Sequence, residues 1–327
     1  MFELVFLGTS ASRPTAARGL PALMVLHETE RFLVDCGEGT QRQLIRAGLG
    51  YRRLTRIFLT HAHLDHVLEL AGLIASLAEG PAEGALTIYG GEQAIDLATR
   101  LIRDVVLPET DERIEVRFER IQAEVAIACD TVRVVPVPVR HRGGDSFGFL
   151  FEAPAHRPFN AARADALGIS PGPDRHQLRD GLPVRRADGR LVMPEDVLGT
   201  PERGTRLLVI GDAAEVDNLR PYAEGVDGLV IEATFLSHER DKARAHGHLV
   251  AADAAGLARD TGVGALILTH ISARHDGPEI LAEARAVYPP HNSRAISHAS
   301  RFSRPQAPEG RFFRIHIGAR VMTGSPC

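Results

Sequence analysis

Apolar residues along this chain fall into two recurring patterns, short continuous runs and longer runs with helical spacing. The short runs favour buried strands, and the longer ones favour amphipathic helices. In the first half, these patterns predict strands at Phe2–Leu7, Ala22–His27, Arg31–Asp35 and Arg56–Thr60, and helices at Gln41–Ala47, His66–Leu77 and Glu92–Arg103.

The second half repeats the same theme. Its predicted strands are Leu207–Asp212, Leu229–Phe235 and Ala265–His270, and its predicted helices are Val250–Asp260 and Glu279–Val287. Between the halves, Glu112–Val139 predicts two or three antiparallel strands. Strands that alternate with helices in this way favour an α/β fold.

One segment departs from the pattern. Residues 154–206 show little regular periodicity and contain Ser170-Pro-Gly-Pro173. A long irregular stretch inside a compact domain is usually functional or mobile. We therefore expect one domain over residues 1–327 with an inserted flexible arm at 154–206; a loosely ordered surface loop is the simpler alternative.

The chain carries a dense cluster of potential metal ligands, Thr60-His-Ala-His-Leu-Asp-His66, between a predicted strand and a predicted helix. Imidazole and carboxylate groups are suitable ligands for zinc. His61 and His63, two positions apart, can share one metal ion, which leaves Asp65 and His66 available to a second. The alternative is a solvent-exposed turn that happens to be rich in histidine.

Three further ligand-type residues also follow buried-looking strands: His141, Asp212 and His270. A single histidine after a strand is more often a surface residue than a ligand. Strand ends at one edge of a sheet sandwich can converge in space, so the recurrence favours one shared site. The prediction would fail if these residues lay far from the first cluster.

These residues, together with several shorter motifs, resemble the ribonuclease Z family of the metallo-β-lactamase superfamily. The motifs are Gly8-Thr-Ser10, Val34-Asp-Cys-Gly-Glu-Gly-Thr-Gln41, Ser146-Phe-Gly148, Glu232-Ala-Thr-Phe235 and Thr269-His-Ile-Ser-Ala-Arg274. The resemblance implies a four-layer αββα sandwich. It also implies an endonuclease that removes the 3′ trailer from precursor tRNA.

The resemblance further implies two zinc ions per subunit. His61, His63 and His141 would hold one ion; Asp65, His66 and His270 would hold the other; and Asp212 would bridge them. Imidazole ligands normally need an acceptor for their second ring nitrogen, and Asp35 and Glu38 are candidates for that role.

The catalytic roles implied by the resemblance involve three residues. Asp65 would accept a proton, and His248, oriented by Glu232, would act as a general acid for the departing oxygen. His248 could instead be an ordinary helix-start residue, and His246 lies too near in sequence to be set aside. Arg274 would contact phosphate, although a surface arginine is nearly as good an account.

In the resembled family, an arm at the place of residues 154–206 grips the tRNA, and the subunits form homodimers. We carry over both properties as expectations. Three departures concern substrate preference: Ala213-Ala214 follows Asp212 where the family usually places Thr and Arg, His275 stands where Tyr is common, and the chain diverges from the family after about Pro290.

Composition limits the binding partners, cellular setting and cofactors that we expect. The chain has 327 residues, 44% of them hydrophobic, and a net charge of −4, which argues against a uniformly basic nucleic-acid binder. It has no long apolar run or signal-peptide pattern, so we expect no membrane span. Three cysteines without paired spacing favour a reduced, cytoplasmic setting. ATP and NAD are not implied because neither nucleotide-binding glycine motif is present.

Two other functions remain open at this point. The same metal platform could serve a dizinc phosphodiesterase, or another hydrolase of this fold, acting on a small molecule. The chain could also be a non-catalytic binding module, although the complete ligand set argues against that.

Overall fold

The computed structural model of the protein describes residues 1–51, 53–79, 84–107, 114–289, 295–298 and 314–317. In these ranges the strands are β1 (Phe2–Gly8), β2 (Ala22–His27), β3 (Glu30–Val34), β4 (Arg56–Phe58), β5 (Leu86–Gly90), β6 (Val116–Arg120), β7 (Ile127–Ala128), β8 (Arg133–Val139), β9 (Ser146–Glu152), β10 (Val184–Arg185), β11 (Leu191–Val192), β12 (Arg206–Val209), β13 (Gly228–Glu232), β14 (Ala265–Thr269), β15 (Ala295–His298) and β16 (Arg314–Ile317). The α-helices are α1 (Thr40–Arg46), α2 (Leu64–Val67), α3 (Leu70–Ala78), α4 (Glu92–Arg100), α5 (Ala161–Ala166), α6 (Pro173–Arg179), α7 (Pro194–Val197), α8 (Arg220–Ala223), α9 (Arg240–His246), α10 (Ala251–Asp260) and α11 (Gly277–Val287). A π-helical turn (Leu101–Val106) continues α4, and 3₁₀ turns lie at Asp217–Leu219 and Ser237–Glu239.

Two seven-stranded sheets organise the main body. The first has the order β16-β1-β2-β3-β4-β5-β6, and the second has the order β15-β14-β13-β12-β9-β8-β7. Strands β3 to β6 run parallel, as do β12 to β15. Because the carboxyl ends of parallel strands meet at one edge of a sheet, the loops that follow these strands gather together.

The inner strands of each sheet are buried on both faces, as β2, β3, β13 and β14 show. The outer face of the first sheet packs against α1, α3 and α4, with Leu33, Leu44 and Leu73 in one buried cluster. The outer face of the second sheet packs against α8, α10 and α11. The resulting order of helices, sheet, sheet and helices confirms the predicted αββα sandwich.

Aromatic side chains fill the space between the two sheets. Phe151 of β9 lies 5.5 Å from Phe32 and 6.1 Å from Phe58, measured between ring centroids, and 6.2 Å from Phe2. All four rings are fully buried. Edge-on and tilted pairs of this kind contribute stability beyond the area that they bury.

We expect Phe151→Ala to lower the free energy of unfolding by about 3–5 kcal/mol, because it removes a ring shared by both sheets and leaves a cavity. Urea denaturation measures this change. Phe118→Ala, at a half-buried position on β6, is the control and should cost clearly less. Equal losses in the two variants would contradict the assigned position of the core.

Several predicted element boundaries were wrong. The helix predicted at His66–Leu77 is two helices, α2 and α3, and the first already begins at Leu64. The strands predicted in Glu112–Val139 are not all antiparallel: β6 pairs parallel with β5 in the first sheet, whereas β7 and β8 form an antiparallel pair in the second. Residues 112 and 113 lie outside the described residues.

Residues 153–204 form a compact unit separate from the rest of the chain. The segment is more regular than its sequence suggested, with three short helices, α5 to α7, and a hairpin of β10 and β11. Its own small core contains Ile169, Leu178 and Val192. The helices and strands that contribute to this core are too short to produce a clear periodicity in the sequence.

No helix in the described ranges is both long and apolar enough to cross a lipid bilayer.

Candidate metal centre

All seven predicted ligands lie at the carboxyl-terminal edge of the two sheets. His61, His63, Asp65 and His66 follow β4, His141 follows β8, Asp212 follows β12 and His270 follows β14. Candidate ligand atoms of His61, His63, His141 and Asp212 lie within 4.8 Å of one another, and the same holds for Asp65, His66 and His270. The structure therefore brings together residues that are more than two hundred positions apart in the sequence.

Asp212 lies between the two groups, and each of its oxygens faces one of them. Its Oδ2 is 3.6 Å from His61 Nε2 and 3.8 Å from His141 Nε2. Its Oδ1 is 3.4 Å from His66 Nε2 and 3.2 Å from His270 Nε2. One carboxylate could thus contact two cations, one on each side.

Thr60 and Asp35 orient two of the histidines from behind. His66 Nδ1 donates to Asp35 Oδ2 at 2.7 Å. The hydroxyl of Thr60 donates to Asp35, so that it accepts from His61 Nδ1 at 3.0 Å. Both rings therefore carry their proton on Nδ1 and turn the Nε2 lone pair toward Asp212.

Thr234 and Gly247 orient two more of the five ligand histidines, His270 and His141, in the same way. Thr234 donates its hydroxyl to Glu232 at 2.5 Å and accepts from His270 Nδ1 at 3.0 Å. His141 Nδ1 donates to the carbonyl of Gly247 at 2.8 Å. Four separate backbone or side-chain acceptors thus select the tautomer that a metal ligand needs.

Four of the atoms that converge at the centre have no hydrogen-bond partner among the described residues. Buried polar groups are normally hydrogen-bonded, and an exception points to a ligand or ion. Here the unpartnered buried atoms include His61 Nε2, His66 Nε2, His270 Nε2 and Asp212 Oδ1. Their position and chemistry fit a divalent cation, and the chain has a metal-binding cluster at this edge of the fold.

Protonation equilibria favour cation binding at three of the ligands, whereas at His66 the effect of burial is outweighed by Asp212 and Asp35, which raise its pKa well above its ordinary value. Burial alone would raise the pKa of Asp212, but His270 and His66 hold it well below its usual range. Burial acts in the same direction on Asp65, and His270 and His66 again outweigh it and lower the pKa of Asp65. Burial lowers the pKa of His61 well below its ordinary value. The carboxylates are therefore charged and His61 is neutral at pH 7, as ligands must be.

His248 and Glu232 lie beside this centre as a hydrogen-bonded pair. His248 Nδ1 is 2.9 Å from Glu232 Oε1 and 3.8 Å from Asp212 Oδ2. Glu232 is fully buried and also accepts from the backbone N–H groups of Ala213 and Leu249. Burial alone would lower the pKa of His248, but Glu232 raises it to about 9.

A cleft of about 340 Å³ opens over the centre. It exposes His63, Asp65 and His248, whereas His61, His66 and His270 lie below its floor. Basic side chains also line it, although the chain as a whole is acidic; they are Arg13, Arg142, Lys242 and Arg274.

Sequence reasoning found Arg274 but missed the other three cations of this cleft. Lys242 is the only lysine in the chain, which was the one available signal. Lys242 and Arg274 lie over the ring of Phe235, at 5.9 and 5.5 Å from its centroid, and both pair with Glu239. Nothing in the sequence distinguishes Arg13 and Arg142 from the other arginines of the chain.

Of the two predicted histidine acceptors, Asp35 has the contact and Glu38 does not. Glu38 is exposed to solvent, and in the described part of the chain its side chain forms no hydrogen bond or ion pair with a site histidine. The prediction for Glu38 was therefore wrong. The left-handed backbone of Asp35, with φ of 60°, turns its carboxylate back under the site.

We expect Asp35→Asn to weaken metal binding by about 10–100-fold, the usual effect of removing an acceptor behind a ligand histidine. An amide places a donor where His66 and Thr60 already donate. Competition with a metal chelator measures the change. Glu38→Gln is the matched control and should leave the affinity unchanged; a similar loss in both variants would contradict the assignment.

Comparisons with known proteins agree with this fold and site. Residues 19–139 match the model of the metallo-β-lactamase superfamily. The metallo-β-lactamase fold protein YhfI from Bacillus subtilis is similar in structure, with a TM-score of 0.65, 16% identity and coverage of 96% of this chain and 98% of that one. Human tRNase Z, short form, gives a TM-score of 0.63 at 23% identity, covering 97% of this chain and 99% of that one. These likenesses define the class of protein: a metallo-β-lactamase fold with a His/Asp metal centre.

Sequence identity to a curated relative identifies the family within this class. A ribonuclease Z from Bradyrhizobium diazoefficiens is 47% identical over 294 residues, which covers 90% of this chain and 97% of the relative. The chain belongs to the ribonuclease Z family. The resemblance drawn from the sequence motifs is thereby confirmed.

Proposed function

We propose that this protein is a zinc-dependent endoribonuclease that removes the 3′ trailer from precursor tRNA and leaves a 3′-hydroxyl on the tRNA. The observation that carries the proposal is the His248–Glu232 pair, held at 2.9 Å in the same basic cleft as the metal ligands. A nuclease needs this combination: ligands for activating a nucleophile, an acid for the leaving oxygen, and cations for phosphate. Membership of the ribonuclease Z family supports the choice of tRNA.

We assign the ligands to two zinc ions per subunit. One ion would be held by His61, His63 and His141, the other by Asp65, His66 and His270, with Asp212 bridging them; the two faces of Asp212 support this division. When bound, two zinc ions supply a hydroxide nucleophile near neutral pH and stabilise charge on the scissile phosphate.

Asp65 is proposed as the proton acceptor. Its Oδ2 accepts a hydrogen bond from the backbone N–H of Ser12 at 2.9 Å, which fixes the carboxylate at the cleft wall. Gly37 allows this placement, since a Cβ there would lie 2.2 Å from the carbonyl oxygen of Asp65. A carboxylate with a lowered pKa is ionised at neutral pH and free to orient the attacking group.

His248 is proposed as the general acid, positioned by Glu232. The pKa of about 9 makes the imidazolium the main form at pH 7, so it can give a proton to the departing 3′-oxygen of the tRNA. Glu232 balances its positive charge. Arg274 is proposed as a phosphate contact, and its place beside Lys242 in the cleft supports that role.

The remaining parts of the proposal concern assembly. We propose that residues 154–206 form a tRNA-binding arm, that two subunits form a homodimer, and that the enzyme acts in the cytoplasm, where its substrate occurs. The separate compact unit at 153–204 supports an arm.

Sedimentation velocity tests the homodimer. A monomer at micromolar concentration would contradict it.

Deleting the arm is the decisive test of substrate class. Glu152 of β9 pairs with Arg206 of β12 in antiparallel register, so a two-residue Asn-Gly turn can replace residues 153–205. We expect the efficiency of precursor tRNA cleavage to fall at least about tenfold, through a higher KM, because arm contacts to phosphate are lost. A small chromogenic phosphodiester should be cleaved as before.

The two substrates together separate the alternatives. Equal loss on both, or no loss on either, would count against an RNA-binding arm. Cleavage of the small phosphodiester by the intact protein, without any cleavage of precursor tRNA, would favour a small-molecule phosphodiesterase instead.

A further inference from the structure

Arg18, in the loop between β1 and β2, is a buried arginine with an unusual set of partners. Its Nη1 donates to the carbonyl of Ile271 at 3.1 Å, and its Nη2 donates to the carbonyls of Ser272 at 3.0 Å and His275 at 3.2 Å. Only 8% of the residue is exposed. Its planar guanidinium thus binds three main-chain carbonyls of one loop through two nitrogens in a fixed fork, a geometry that the single ammonium nitrogen of lysine does not reproduce.

The same two loops are also joined by their backbones. The N–H of Ala11 donates to the carbonyl of Ile271 at 3.1 Å, and the N–H of Ile271 donates to the carbonyl of Thr9 at 2.9 Å. The carbonyl of Ile271 therefore accepts from Ala11 and Arg18 together. Loop 9–18 and loop 271–275 behave as one hydrogen-bonded unit.

Ser12 in the first loop and His270, directly before the second, each present a group to the metal centre from a left-handed backbone conformation. Ser12, with φ of 58°, presents its N–H to Asp65 Oδ2 at 2.9 Å. His270, with φ of 53°, lies directly before the second loop and turns its ring toward Asp212. Left-handed conformations of this kind persist only when surrounding contacts hold them in place.

We propose that Arg18 is a positioning residue: by joining the two loops, it holds the Ser12 N–H on Asp65 and the imidazole of His270 on the metal centre. The inference rests on the proposed function for the roles of Asp65 and His270. Burial lowers the pKa of Arg18, and the charge of Asp276 opposes that shift, so the guanidinium keeps its charge at neutral pH. Arg18 itself lies behind the cleft wall and acts through its neighbours.

Arg18→Lys tests the proposal, with Arg31→Lys as the matched control. Arg31 also donates to a main-chain carbonyl, that of Leu49 at 2.7 Å, but at the start of β3, away from the carboxyl-terminal edge. With zinc in excess and a small chromogenic phosphodiester, we expect Arg18→Lys to lower kcat by about 10–100-fold, the effect of misplacing groups around a metal site. KM should change far less, and Arg31→Lys should retain the wild-type kcat.

Hydrogen exchange of the metal-free proteins supplies a readout that does not depend on activity. In Arg18→Lys, the amides of residues 9–13 and 271–275 should exchange faster while those of β13 and β14 keep their protection. An unchanged kcat, or a faster exchange spread evenly over the chain, would overturn the proposal in favour of a general role in stability.

If Arg18→Lys does not fold, hydrogen exchange of the wild-type protein tests the proposal instead. The amides of Ala11, Ser12 and Ile271 should then exchange with one common opening rate, because they open as a unit. Independent, fast exchange of Ser12 would refute it. Failure of the wild type to cleave precursor tRNA would overturn the proposed function alone, since the exchange result does not depend on it.

Discussion

Asp212→Asn is expected to abolish activity, with kcat/KM lower by about 10³-fold or more, the scale seen when one member of a catalytic unit is removed. Among the described residues, Asp212 is the side chain that faces both ligand groups, at 3.2 Å from His270 Nε2 and 3.6 Å from His61 Nε2. An amide has one acceptor oxygen and no charge, so at most one group would keep an oxygen ligand from this position, and that ligand would be neutral. Metal analysis after dialysis should show fewer than two ions per chain.

Asp96→Asn is a suitable control for that variant. Asp96 is half-exposed on α4 and pairs with Arg120 at 2.6 Å, so its charge is screened by solvent. Surface pairs of this kind contribute little to stability, and activity and metal content should match the wild type. Full zinc occupancy and normal cleavage in Asp212→Asn would refute the bridging role.

His248→Ala should produce a loss that depends on the leaving group. Cleavage of precursor tRNA should fall by about 10²–10⁴-fold, the usual contribution of general acid catalysis. A phosphodiester with a nitrophenolate leaving group should be affected far less, because that anion departs without a proton. Comparing kcat for the two substrates isolates proton donation from any damage to the metal centre.

The pH dependence provides a second measure of the same step. Because Glu232 raises the pKa of His248 to about 9, the acid form is present at neutral pH and is lost as the pH rises through that value. Positive metal ions nearby would move this loss to lower pH. An alkaline decline in kcat should therefore occur with tRNA in the wild type and be absent with the nitrophenyl substrate.

His246→Ala provides the matched comparison. His246 is exposed, and its ring stacks on Phe235 with centroids 6.4 Å apart, whereas the ring of His248 is bonded to Glu232. We expect His246→Ala to retain kcat on both substrates. Equal losses in the two histidine variants, or a loss in His248→Ala that is the same for both leaving groups, would contradict a general acid role for His248.

Local sequence predicted most of the sandwich because apolar runs mark strands independently of their partners. It predicted β2 at its full length and α10 and β14 within one residue. It failed for β6, whose composition does not show which sheet it joins or in which direction. It also failed for the short helices of residues 153–204, where the small core leaves little periodicity.

For the site, the sequence by itself determined the ligand chemistry: seven His and Asp residues at strand ends, with a family resemblance that assigned them roles. Only the tertiary structure decided what lies behind and around them, namely Thr60 and Thr234 behind the rings, the Ser12 amide on Asp65, and the cations of the cleft. The reason is physical. A ligand-type residue is recognisable from its own side chain, whereas a hydrogen-bond acceptor or a basic wall is defined by distances between segments that only folding brings together.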